Sequence, residues 1–285
     1  MPDRPAPRPK RGLRFSDGQT RNQRRLRHSP PGSYWMHGRH AVRAALANPN
    51  RRVLRLLLAD SARKRLAAEL PSSLPVETLS NADLDRRLGA DSRHGGIAAE
   101  VVPLAGGRSG LAALLDRPET RLLLLLDQVA DPRNVGAILR SACAFGADAV
   151  VTPEARSPSE SGALAAAASG ALDLVPYLRV GNLAALLRKL ADLDWHLAGL
   201  DDRAPGSVDE LARRRPSARL GLVLGAEGVG LRRLTLERCH RLLSISTNPE
   251  MPSLNVAAAA AVALHAASRP LADLRKNRAG RDPPA

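Results

Sequence analysis

One short stretch, RLLLLLD at residues 121–127, constrains the fold more than any other: five consecutive leucines stop abruptly at an acid. A half-exposed strand alternates apolar and polar side chains. A strand that is apolar at every position has to be covered on both faces. Comparable runs follow in ADAVVTP, LVPYLRV, WHLAGL, RLGLVLG and RLLSIS, interleaved with the helical patterns SGALAAAASGA, NLAALLRKLAD and LNVAAAAAVALHAAS. Strands alternating with helices predict an α/β fold with a mostly parallel sheet clothed by helices on both sides. In such sheets ligands sit beyond the carboxyl ends of the strands, so the loops that follow strands are where chemistry is sought.

The remaining chain divides by composition. Residues 1–32 carry nine basic against two acidic residues, a net +7, with several prolines and almost no large apolar side chains. Such an arm cannot bury a core, and we expect it to be disordered and RNA-contacting, or merely solubilising. Residues 33–103 form a compact block: the helix HGRHAVRAALANP closed by Asn48-Pro49, the strand RVLRLLLAD, the short helix ADLDRRLG and the strand GGIAAEVV. This predicts a small α/β domain. A glycine-rich linker is expected at 104–114, the larger domain at 115–270, and a disordered tail at 271–285.

The whole chain has 285 residues and a net charge of +15, which points to a polyanionic partner, nucleic acid first. Two cysteines, Cys143 and Cys239, sit inside apolar patterns, so neither a disulfide framework nor a metal site is expected. The N-terminus is Pro- and Arg-rich rather than apolar, and no apolar run approaches the ~20 residues of a membrane helix. The expectation is a cytoplasmic protein without a membrane span.

Three loops stand out. LGAEGVGL (224–231) places Gly225, Gly228 and Gly230 around Glu227, directly after a buried strand. A dinucleotide fingerprint is G-x-G-x-x-G opening a long helix in the first βαβ unit. Here the spacing is reversed and the strand comes late. No Gly-Lys-Ser or Gly-Lys-Thr occurs, which also removes a Walker loop. The loop is therefore expected to let backbone approach a ligand closely, with Glu227 aimed into the site. In DQVADPRNVGAILRSACAFGA, Asn134 begins a helix whose buried face is Val135, Ile138, Leu139, Ala142 and Phe145. Arg140 falls nearly opposite that face, where a solvated arginine is the bland alternative. In STNPEMPSLNVA, Ser253 can cap a helix that is apolar all round and hence buried, with Asn255 in its first turn. Capping alone would also explain both.

Taken together, DPRNVGAILRSACAFGA, LVLGAEGVGLRR and ISTNPEMPSLNVAAAAAVAL resemble, in order and spacing, the SpoU-type RNA 2′-O-ribose methyltransferases of the SPOUT superfamily. The resemblance covers roughly 115–268, and the block at 33–103 is similar to that family's RNA substrate-binding domain. It implies a parallel α/β sheet whose C-terminal stretch threads a deep trefoil knot, which general topology rules would have argued against. It implies S-adenosyl-L-methionine as cofactor, contacted at Gly225, Ile245 and Leu254, and no metal. Asn134, Arg140, Glu227, Ser253 and Asn255 match the family's polar active-site set. One departure is Ile245-Ser246-Thr247, where the family often has Ile-Pro-Met.

The resemblance further implies a homodimer whose sites draw on both subunits, and Arg140 as general base. A guanidinium normally stays protonated, so an equal account has Arg140 fork onto an RNA phosphate and favour the developing alkoxide. The substrate implied is a guanosine in the peptidyl-transferase P loop of 23S rRNA. A tRNA, a resistance-type ribosomal target, or a non-catalytic role in ribosome assembly are the alternatives.

Overall fold

The computed structural model describes residues 30–66, 70–89, 92–104, 108–213 and 218–279. The expectation of a disordered arm falls, up to residue 29, outside them. So does the end of the chain beyond Ala279.

The N-terminal domain is a four-stranded mixed sheet in the order β1-β4-β2-β3. Its strands are β1 (Tyr34–His37), β2 (Val53–Leu58), β3 (Val76–Thr78) and β4 (Ile97–Val101). β4 lies antiparallel to β1 and β2, while β3 joins β2 in parallel. Helix α1 (Arg39–Ala47) ends at Asn48 before the proline, as the sequence predicts. Helix α2 (Asp60–Leu66) and strands β1 and β3 are too short to leave a period in the sequence. Ser80 caps α3 (Asn81–Leu88) by accepting a hydrogen bond from the Asp83 amide.

The second domain begins earlier than the glycines suggest. The stretch read as linker becomes, from Arg108, helix α4 (Arg108–Leu115), with Leu111, Leu114 and Leu115 buried. Serine and glycine at its start hide an ordinary apolar stripe. Beyond it lies a seven-stranded sheet in the order β7-β6-β5-β10-β8-β11-β9. These are β5 (Leu122–Asp127), β6 (Ala149–Pro153), β7 (Tyr177–Val180), β8 (Trp195–Leu200), β9 (Gly206–Ser207), β10 (Arg219–Gly225) and β11 (Arg241–Ser244). Every neighbouring pair is parallel.

The leucine run behaves as its composition requires: Leu122 to Leu126 are each fully buried. Leu122, Leu124 and Leu126 pack with Val135, Ile138 and Leu139 of α5 (Pro132–Phe145), Leu164 of α6 (Gly162–Ala168), and Ala260 and Leu264 of α9 (Val256–Ala279). Leu123 and Leu125 face the other way, against α4 and Leu183, Leu187 and Leu190 of α7 (Leu183–Asp192), in a cluster that Leu236 of the short α8 (Arg233–Leu236) also joins. At roughly 1.5–3 kcal/mol per buried leucine, these five together contribute on the order of 10 kcal/mol.

Three local expectations are corrected. α5 starts at Pro132 with Asp131 as its cap, so Asn134 lies inside the first turn rather than beginning the helix. α9 starts at Val256, and it is Asn255 that accepts from the Ala257 and Ala258 amides, not Ser253. α9 is also not buried all round, since Ala258 and His265 are exposed and Val262 is 40% exposed. The helix continues to Ala279 through the first part of the expected tail. Insertion of β10 between β5 and β8, with α9 returning to pack on α5, is consistent with the knotted SPOUT fold.

Candidate active site

β5 and β10 lie side by side with Gly225 in register with Asp127, so the loops leaving both strands emerge together at the carboxyl edge. The loop after β10 folds back on itself: Ala226 and Gly230 form a bridge, and the Gly230 amide donates to the Ala226 carbonyl at 2.9 Å. A Cβ on Gly225 would stand 2.1 Å from the Gly230 carbonyl carbon, so any side chain is excluded there. Gly225 lines the cavity, yet the space its missing side chain leaves is filled by backbone. The atoms it makes way for belong to the chain itself.

The far end of that loop is tied to β5 by a residue the sequence reading overlooked. Asp127, 1% exposed, accepts from the Arg232 amide (3.1 Å), Arg232 Nε (2.7 Å) and Thr235 Oγ1 (2.7 Å). An acid ending an otherwise apolar strand was the available signal. Nearby, the Cys239 thiol donates to the Thr235 carbonyl, and burial together with the Asp127 carboxylate pushes its pKa up to about 12. That removes it as a nucleophile at neutral pH.

At the tip of the loop, three of the polar residues meet. Glu227 Oε1 accepts from Asn255 Nδ2 at 2.6 Å, Asn134 Nδ2 at 3.0 Å and the Val256 amide at 3.3 Å. Asn255 Nδ2 also donates to Asn134 Oδ1 at 3.1 Å. The carboxylate therefore joins the starts of α5 and α9 to the β10 loop. Among the described residues its second oxygen has no partner. Ser253 is exposed, unpartnered among the described residues, and lines the adjoining cavity. Arg140 is not part of this group. It lies six residues beyond Asn134 on α5, about 9 Å further along the axis, exposed and without a partner among the described residues.

The cavity measures about 530 Å³, within the ~300–1,000 Å³ usual for small-molecule sites. Gly225, Ile245 and Leu254 all line it. So does Thr247, at the departure from the family pattern; its hydroxyl donates to the Pro252 carbonyl at 3.0 Å and closes the loop on itself. A fourth wall went unforeseen: Leu200 at the end of β8, with Asp201, Asp202 and Arg203 on the loop that follows it. No group of three or more His, Cys, Asp or Glu among the described residues could hold a metal ion. Likewise, no helix among them is long and apolar enough to cross a membrane.

Comparison with known proteins agrees with this geometry. Residues 121–265 match the SpoU rRNA Methylase family, and residues 35–105 match the RNA 2′-O ribose methyltransferase substrate-binding family. The 23S rRNA (guanosine-2′-O-)-methyltransferase RlmB of Nitrosomonas europaea is 37% identical over 238 residues, covering 81% of this chain and 90% of the relative. RlmB of Pseudomonas aeruginosa is 37% identical over 241 residues, covering 81% and 95%. Among solved structures, the SpoU methyltransferase AviRb from Streptomyces viridochromogenes superposes with a TM-score of 0.70 over 85% of this chain and 91% of its own. At 22% identity it speaks to the fold alone. Two matched domains in the family's order, and a relative of this similarity over nearly its whole length, make the chain a member of the SpoU rRNA methylase family.

Proposed function

We infer that the protein is an S-adenosylmethionine-dependent methyltransferase acting on a ribose 2′-hydroxyl of RNA, with 23S rRNA as the substrate. The observation that carries the reading is Glu227, which lines the cavity and is held on one oxygen by Asn134, Asn255 and the Val256 amide, with its other oxygen unpartnered among the described residues. The lining fits the cofactor on its chemistry. Leu224, Leu243, Ile245 and Leu254 offer an apolar slot, and Asp201, Asp202 and Glu227 bring carboxylates against the single cation of Arg203. Such a set suits a cationic sulfonium and an ammonium, and repels a diphosphate. When bound, the cofactor supplies an electrophilic methyl group.

The chain's residues have to bring a hydroxyl in line with that methyl and ease the loss of its proton. Asn134 and Asn255 fix the rotamer of Glu227, whose unpartnered oxygen can accept a hydrogen bond from the substrate or cofactor; orientation of this kind is worth several kcal/mol. Ser253 can add a second hydrogen bond from the loop that leads into α9. We assign Arg140 the task of gripping the RNA phosphate and offsetting the developing alkoxide charge, with proton abstraction as the alternative role. Its separation from the Glu227 group within one chain supports a homodimer in which each site takes its arginine from the other copy. The exposed Arg39, Arg52, Arg63, Lys64, Arg65 and Arg86 support reading the N-terminal domain as the RNA grip. A cytoplasmic location belongs to the same reading.

The test is transfer of labelled methyl from S-adenosylmethionine to unmodified 23S rRNA, followed by nuclease digestion. The label is expected on a ribose 2′-oxygen. Label on a nucleobase, or no transfer to any RNA, overturns the assignment.

A further inference from the structure

The two domains are joined by more than a peptide. Arg51, in the turn between α1 and β2, is a buried cation whose side chain is 0% exposed. Its Nε donates to Asp173 Oδ1 at 2.7 Å, and its Nη1 donates to Glu160 Oε2 at 2.5 Å and to the Val102 carbonyl at 3.2 Å. Both carboxylates belong to the second domain, one just before α6 and the other in the 3-10 turn Ala171–Asp173 that follows it. Around them the contacts multiply. Asn48 Nδ2 donates to the side chain (3.1 Å) and backbone carbonyl (3.3 Å) of Asp173. The Tyr34 hydroxyl donates to Glu160 Oε2 (2.9 Å), and the Leu104 amide donates to Glu160 Oε1 (3.0 Å).

Backbone fit reinforces the seam. A Cβ on Gly162 would lie 2.5 Å from the Trp35 carbonyl oxygen, so the first turn of α6 rests directly on β1. Helix α6 is in turn pressed against α5, where a Cβ on Gly136 would lie 2.5 Å from the Leu164 carbonyl oxygen. α5 carries Asn134 and Arg140. An unbroken series of packed backbone and buried ion pairs therefore runs from the N-terminal sheet to the active-site helix, and the described residues from Tyr34 onward belong to one compact unit.

Parting the domains would leave Arg51, Glu160 and Asp173 without the partners that offset their desolvation. A solvated, flexible hinge would need none of this. We propose that Arg51 is a positioning residue for methylation. It locks the RNA-gripping domain at one distance and orientation from α5, so that the enzyme selects folded RNA in which the gripped element and the target ribose are themselves held at a fixed spacing. The inference rests on the reading of the N-terminal domain as the RNA grip. A flexible strand can adapt to any spacing and gains nothing from the lock, whereas a structured RNA binds both sites at once only if they are held correctly.

The test compares the wild-type full chain with a neutralised seam, Arg51→Met/Glu160→Gln/Asp173→Asn, which avoids stranding a lone buried charge. Two RNAs are used: intact unmodified 23S rRNA, and a short single-stranded fragment of it containing the methylated nucleotide. The wild type should prefer the intact rRNA. The variant should show KM for that RNA raised by at least ~10-fold, the scale of lost simultaneous engagement, while kcat/KM for the fragment and S-adenosylmethionine binding by calorimetry stay unchanged. Equal losses on both RNAs, or unchanged KM for the intact rRNA, overturn the lock. A wild type with no preference for intact rRNA instead overturns the grip reading beneath it. X-ray scattering of the wild type in solution checks the lock without any variant: a profile that needs several domain orientations contradicts it.

Discussion

At the scale of single residues, the site divides into a connected part and an isolated one. Asn134, Glu227 and Asn255 hydrogen-bond to one another although they are far apart in sequence. Polar residues beside strand ends were legible as a set, but their mutual bonds were not, because nothing local encodes which loops meet. Arg140 remains apart, and its isolation makes a sharp prediction. Arg140→Ala should leave the melting temperature and cofactor affinity nearly unchanged while turnover falls at least ~100-fold, the scale of losing a base or a transition-state charge contact. Mixing Arg140→Ala with Glu227→Gln should restore part of the activity in heterodimers that contain one intact site. Rescue by Arg140→Lys that grows with pH would favour proton abstraction over phosphate gripping. Near wild-type turnover in Arg140→Ala would return this arginine to a solvated surface charge.

At the scale of elements, the loop 226–231 is shaped by close backbone contact at one end and by a buried acid at the other. Gly225 and Gly228 serve different needs. Gly225 has no room for a methyl group, whereas Gly228 has space around it and needs only its left-handed backbone, φ 75°. Gly225→Ala should therefore destabilise the fold by ~1–3 kcal/mol through overpacking and weaken cofactor binding. Gly228→Ala should lose only the left-handed backbone penalty, ~1–2 kcal/mol, and largely retain binding. Thermal melts and calorimetry on the two variants would refute this account if the order were reversed. Glycine spacing was enough to exclude a dinucleotide loop. It could not tell a glycine emptied for a ligand from one emptied for its own neighbour. Helix α4 was missed for a related reason, since Gly106, Gly107 and Gly110 read as linker while Leu111, Leu114 and Leu115 supplied the buried face.

At the scale of the whole molecule, charge and domain arrangement govern how RNA is met. Removing residues 1–32 deletes +7 of the net +15 without touching any residue of the site. RNA affinity should fall, and its dependence on salt should flatten, because fewer phosphates would be neutralised on binding. Cofactor affinity should not move. Filter binding across a salt series decides this: equal slopes of log affinity against log salt with and without the arm would make the arm a solubilising tail.

By itself the sequence determined the class of the fold, since a strand of unbroken leucines can be stable only between two apolar layers. It also singled out the loops that line the cavity, because strand ends in a parallel sheet are where backbone is left open. Order in the sheet, with β10 inserted between β5 and β8, was decided by tertiary structure alone. So was the Arg51 seam: an arginine in a basic chain looks like one more solvated charge until the fold closes two distant carboxylates over it. Periodicity reports which face of an element is buried, and burial is a local property of the pattern. Which partner covers that face depends on chain crossings among elements remote in sequence, and no local pattern records them.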